Sequence, residues 1–515
     1  MTALLLVTGL LLGADPVDDL VKQIEQNAKD PFGQARREHA IRVLGSIGSP
    51  ESTRALEPLL EDPYLHLQDA TVSALIELQR SKERAASLQL MGEWLRRRRN
   101  PTVRIHLATA LGLIRDLKAV PFLEEALRRE RDPAVIAGIA LALERLGDPT
   151  AIGGLVKKAD LAPKGRAACV HAMGMLRGGT AYALRYKDDE DERVRAAVVD
   201  VCARRGRPVL PDREVDGTAS VHESIAFADA LRVTKPAPLA RRRAAALLEH
   251  PSWRVRAAAI AGVTLLRDPT LLGDLVARME KETGRLRGDA WRALRTLTRK
   301  DIAPDPVLWR AILPLAELPA RARKRKSIDA PAGTAAYFGL PVMSERIAFV
   351  FDVSGSMREE GKMELARKRF GAMAKELKPQ QRYDLFVHRF PSDHPPRPKL
   401  LRAFGRLLGG KAARASSWLA RQKAKGWGAI YDALAAAIRD PEVDTIYLLS
   451  DGRPTRGTVS RDFRIRQEIR RLNRWRRVRI NTILLGEKMV DRRFMERLAD
   501  GNGGVAVDGE GKRLR

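Results

Sequence analysis

Cysteine is almost missing from this 515-residue chain, which has only Cys169 and Cys202. Two thiols cannot complete a four-thiolate zinc site or staple a disulfide framework. Both lie in helical sequence and read as small buried hydrophobes, and their spacing alone does not establish a bond between them. Aromatic residues make up 5% of the chain, too few along the basic stretches to stack successive bases. The eight histidines are scattered, and His388 and His394 sit in a Pro-rich stretch without helical HxxxH pairing. No G-x-S-x-G nucleophile elbow is present to support a Ser/His/Asp hydrolase.

What is abundant is positive charge: 93 Lys and Arg against 64 Asp and Glu, a net +29. Such a surface attracts nucleic acid, anionic lipid or acidic proteins. The arginines run through the whole chain, however, so the preferred reading is solvated helix faces. A nucleic-acid-binding scaffold rests on charge alone. The first apolar run, Met1–Ala14, is too short to span a bilayer. It resembles a secretory signal peptide with Gly13-Ala14 near a cleavage point, although it lacks an opening Lys or Arg and places Leu12 where a small residue is preferred. The expectation is an exported protein, periplasmic or at the cell surface.

The pair Val-Arg, with Ala soon after, recurs at 103–104, 194–195 and 255–256, intervals of 91 and 61 residues, both near multiples of 30.5. Breaks recur similarly at Gly48-Ser49-Pro50, Arg115-Asp116, Gly147-Asp148-Pro149 and Arg267-Asp268-Pro269. Between them lie Ala- and Leu-rich helical stretches such as 105–114, 134–146 and 256–266. A period near thirty with two short helices per unit predicts an all-α solenoid over 17–318, irregular around 205–245. It resembles the HEAT-type repeats. Some related short repeats belong to bilin lyases, but no cysteine or acid constellation here supports that enzyme.

The apolar run Ile347–Phe351 reads as a buried strand ending at a carboxylate, Asp352-Val353-Ser354-Gly355-Ser356-Met357. In extended backbone, alternate side chains point the same way, so Asp352, Ser354 and Ser356 can aim three oxygens at one point. Hard oxygen donors suit Mg²⁺ or Mn²⁺. An amphipathic helix is predicted over 362–377, strands over 445–449 and 478–485, and helices over 461–475 and 493–499. This alternation predicts an α/β, doubly wound, mostly parallel sheet, with Asp352 and Asp451 outside the carboxyl ends of its strands.

DVSGSM, with YDAL (431–434), LLSDGRPTRG (448–457), INTILLG (480–486) and RLADGNGGVAV (497–507), resembles a von Willebrand factor type A domain over 344–508, leaving a tail at 509–515. The resemblance implies a metal-ion-dependent adhesion site with Asp352, Ser354 and Ser356 as direct ligands. It implies that Asp451 helps hold Mg²⁺ or Mn²⁺, often through water. The family usually adds a threonine from a G-G-T-N-x-Y-D-A-L loop. Here Gly428 occupies that position, and water must replace the hydroxyl. The alternative is a loop kept only for the fold.

Between the halves lies a basic Pro/Ala linker, 319–343, whose apolar end Tyr337–Met343 is expected to pack on the second domain. Just upstream, Thr298–Arg310 resembles a segment that follows solenoids in bacterial proteins pairing these two modules. Two loop motifs carry no function: Gly405–Ala412 lacks the hydroxyl of a phosphate-binding loop, and Gly501–Ala506 follows a helix and enters a strand, the reverse of a dinucleotide loop. The sequence therefore predicts a non-enzymatic interaction protein that binds a partner's acidic residue through a divalent ion. An intracellular assembly factor recruiting a partner to an enzyme complex is the alternative.

Overall fold

The computed structural model describes residues 15–28, 30, 33–210, 215, 219–315, 331, 333–389, 399–452, 454 and 456–514. The leader-like 1–14 and the basic run 319–330 lie outside the described residues. Contacts divide the chain into two compact units, Met1–Arg207 and Pro208–Arg515. Among the described residues, no helix is long and apolar enough to cross a membrane.

The first unit is a stack of helices whose ends are written in the sequence. Helix Pro133–Leu146 begins at Asp132, whose carboxylate accepts from Ala134 N and Val135 N, with Pro133 in the first turn where no N–H is missed. It ends at Gly147, whose φ of 76° suits a residue without Cβ. Its neighbour Pro101–Ile114 buries Val103, Leu107, Leu111 and Ile114. At the crossing, a Cβ on Gly112 would lie 2.7 Å from Ala142 Cα, so the two backbones approach as closely as their small residues permit.

The recurrent Val-Arg pair has one structural cause. Val103, Val194 and Val255 are buried. The following arginine turns back over the preceding corner, and its Nη1 donates to the carbonyls six and five residues earlier. Arg104 reaches Arg98 O and Arg99 O. Arg195 reaches Asp189 O and Glu190 O, and Arg256 reaches His250 O and Pro251 O. Arg104 and Arg256 also pair with Glu130 and Glu282, at 2.7 and 2.5 Å. These three arginines are thus structural staples that satisfy carbonyls at helix ends.

In the second unit, helices from Val221–Ala230 to Pro306–Ile312 precede a hairpin, β1 (Ala336–Tyr337) and β2 (Leu340–Pro341). A six-stranded sheet follows: β3 (Arg346–Asp352), β4 (Arg382–Arg389), β5 (Lys399–Arg402), β6 (Thr445–Ser450), β7 (Arg479–Leu484) and β8 (Ala506–Asp508). Its spatial order is β5-β4-β3-β6-β7-β8. All neighbours are parallel except the β4–β5 edge. Helices bury both faces. Ile347, Phe349 and Phe351 of β3 enter one core, while Ala348 and Val350 enter the other, as the period of two requires.

Tyr337, Phe338, Leu340 and Val342 fill the first of these cores. The Tyr337 ring meets Phe349 edge-on at 5.5 Å, and Tyr447 Oη donates to Pro341 O at 3.0 Å. The apolar end of the linker therefore belongs to the sheet domain. The architecture is a HEAT-like solenoid with a doubly wound, type A-like sheet.

Candidate functional site

β3 and β6 lie side by side and parallel, so both stop at the same edge of the sheet. Asp352 and Ser354 are buried there, while Ser356 is exposed. Asp352 is held from two sides: Oδ1 accepts from Ser354 N at 2.8 Å, and Oδ2 accepts from Ser450 Oγ at 2.7 Å. The hydroxyls of Ser354 and Ser356 are 3.2 Å apart. Asp451 bonds Ser356, and burial followed by the Asp352 charge pushes its carboxyl above the usual range. The four residues singled out in the sequence are thus brought together. Two carboxylates and two hydroxyls share one edge, and the charges repel.

A loop from 425 to 428 covers the first. Lys425 N donates to Val353 O at 2.8 Å, and Gly355 N donates to Gly426 O at 2.9 Å. This seats Gly428 over Asp352, where an added Cβ would lie 3.3 Å from Oδ2. A threonine hydroxyl at 428 would therefore reach the same cluster. The Gly428 carbonyl is tied down by Arg456 N at 3.1 Å. Asp432 secures the following loop, accepting from Thr458 N at 2.9 Å and from the Thr458 hydroxyl.

Sequence reasoning missed Ser450 and Lys362. Ser450, fully buried at the end of β6, orients Asp352. Its signal was a hydroxyl at the end of an apolar strand, directly before the acid. Lys362 opens helix Lys362–Glu376 and sets Nζ 3.9 Å from Asp451 Oδ2 and 3.2 Å from Glu360. This ammonium pairs with Asp451 rather than with Asp352.

Among the described residues, no group of three or more His, Cys, Asp or Glu side chains is placed to hold a metal ion. A cation at this edge would draw on hydroxyls, backbone carbonyls or water besides the two carboxylates. The donor chemistry fits a hard divalent ion: all oxygens, two of them carboxylate, with Gly428 leaving room beside Asp352. Cys169 and Cys202 are free and buried. Burial pushes the Cys169 thiol up to about 12, which removes it as a nucleophile near neutral pH.

Residues 88–174 match the family model of HEAT repeats. Comparison with curated proteins gives no match. Among solved structures, the chain is similar to a von Willebrand factor type A protein from Catenulispora acidiphila, at 19% identity and a TM-score of 0.27. That match covers 33% of this chain and 39% of the other. It is similar to the human COPII-coat protein Sec24c at 10% identity and a TM-score of 0.27, over 32% of this chain and 29% of that one. Human deoxyhypusine hydroxylase in complex with glycerol is similar at 17% identity and a TM-score of 0.21, over 48% of this chain and 96% of that one. The chain therefore spans well under two thirds of the first two structures. The HEAT repeats mark it as a protein-interaction scaffold.

Proposed function

We propose that the chain is a non-enzymatic, exported interaction protein whose sheet domain grips an acidic group of a protein partner through Mg²⁺ or Mn²⁺, with the solenoid as scaffold. Asp352, Ser354 and Ser356 would hold the ion, and Asp451 would assist. When bound, the ion supplies positive charge and an open coordination position for a carboxylate. The observation that carries this reading is the convergence of these oxygens from β3 and β6, with Ser450 locking Asp352. The surroundings suit docking: Trp427, beside Gly428, is 42% exposed, and Arg456 stacks on its ring at 4.9 Å. An aromatic and a cation beside an anion-seeking ion favour an acidic protein surface.

The test is a melting and calorimetric titration of the full chain with millimolar Mg²⁺ or Mn²⁺, paired with capture of partners with and without EDTA. A metal-dependent rise in melting temperature is expected, because ligand that binds only the folded state stabilises it by mass action. Capture should be lost in EDTA. Absence of both heat and melting shift overturns the reading and leaves a domain that keeps the motif for its fold alone.

A further inference from the structure

At the opposite end of the same sheet, where β6 and β7 begin, three guanidinium groups surround one carboxylate. Arg285 and Arg292, on helix Gly284–Thr298, pair with Asp289 at 3.2 and 2.6 Å. Arg479, at the start of β7, pairs with it at 2.7 Å. The neighbouring acid, Asp444, is already engaged by Arg346 at 3.0 Å and by the hydroxyls of Ser344 and Thr445. Arg285, Arg292 and Arg479 have no further carboxylate partner among the described residues. The cluster thus holds two positive charges in excess.

Burial makes that excess consequential. Arg285 is under one-tenth exposed, and its Nη1 donates to Asp444 O and Arg477 O, both at 2.5 Å. The Nε atoms of Arg292 and Arg479 are buried without a protein acceptor. Burial, then the charge of Arg292, pushes the Arg479 guanidinium down to about 9. Like charges in a poorly solvated place cost free energy unless anions or acceptors offset them.

The same three arginines line a small, open cleft of about 30 Å³, together with Asn481, Tyr447 and the apolar Leu340 and Met343. We propose that this cleft binds a small oxyanion, whose oxygens take up guanidinium donors left over by Asp289. Planar guanidinium forks match phosphate and carboxylate alike. Such an anion would tie helix Gly284–Thr298 to the base of β7. The site is separate from the carboxylate edge and does not depend on metal there.

Calorimetry of the full chain with inorganic phosphate, and separately with acetate, at ionic strength matched with chloride, tests this. Wild type should bind phosphate, with or without acetate. Phosphate alone assigns a tetrahedral dianion, whereas acetate as well assigns any carboxylate-like group. Arg479→Met should weaken binding about tenfold or more, as loss of a charge-assisted pair predicts. Arg292→Gln, at the more exposed rim, should do the same without the folding risk of the buried position. Arg287→Gln, on the same helix but off the cleft, should leave affinity unchanged. If neither anion binds, or if Arg287→Gln loses as much as Arg292→Gln, the proposal fails, and the cluster is a helix-to-sheet staple or part of a diffuse basic surface.

Discussion

The two ends of the sheet carry opposite excess charge, whereas the corner arginines Arg104 and Arg256 of the solenoid are paired. At the carboxyl edge, Asp352 and Asp451 face one ammonium, Lys362, at 3.9 Å. At the other end, Asp289 alone faces Arg285, Arg292 and Arg479. Along the solenoid, Arg104 and Arg256 each meet a glutamate and two carbonyls. A charge that is fully paired explains itself as structure. A charge buried in excess is costly, so the group shifts its pKa or gains a counter-charge; the two proposals assign a cation to one end and an anion to the other.

The largest effect comes from breaking the lower end. Asp289→Ala leaves three guanidiniums, Arg285 the most buried, without their carboxylate, and should destabilise the second unit by about 3–5 kcal/mol. Hydrogen exchange of the β6 and β7 amides reports this directly, and added phosphate should restore part of the protection. Asp352→Asn makes the opposite test. It keeps an acceptor for Ser450 and removes the repulsion with Asp451, so stability without metal should hold or rise. The metal-dependent stabilisation, about 2.7 kcal/mol at a hundredfold excess over Kd, should vanish from the melting curve.

The solenoid supplies a paired control with a pH signature. His171 lies between Glu144 at 3.0 Å and Asp200 at 2.8 Å, and Arg204 reaches the same Asp200 at 3.0 Å. Burial opposes its charge, but the two carboxylates prevail and raise it from 6.5 to about 8. A raised folded-state value means the contribution is full below pH 6.5 and is lost as pH rises through about 8. Its size is about 2 kcal/mol. The melting temperature of the solenoid should fall across that window, and His171→Gln should flatten the fall.

The smallest effect sharpens the upper end. Gly428→Thr places a hydroxyl beside Asp352 and should tighten Mg²⁺ or Mn²⁺ binding a few-fold, about 1 kcal/mol. Calorimetry of the variant against wild type measures it. Weaker binding would mean that the 3.3 Å approach to Asp352 Oδ2 leaves no room for the side chain.

Much of this was legible along the chain. The strand before Asp352 is a continuous apolar run because both faces of a parallel sheet are covered. The Val-Arg period marks solenoid corners because each arginine bonds carbonyls only five and six residues back. β4 escaped notice because Asp384 interrupts its apolar pattern. That carboxylate is buried and accepts from Arg402 Nε at 2.8 Å and Phe404 N at 3.0 Å, partners that the linear pattern does not reveal. Ser450 escaped for the same reason, since its acceptor Asp352 lies 98 positions earlier.

The sequence by itself determined the fold classes, the helix ends and the three oxygens of the first loop. These rest on local rules: periodicity, capping, and the alternation of side chains in extended backbone. Only the tertiary structure decided that Ser450 and Lys362 join the edge of Asp352 and Asp451, and that Arg285, Arg292 and Arg479 crowd one aspartate. Charge density depends on distances through space. Strand order and helix docking set those distances, and neither is written in the spacing of residues along the chain.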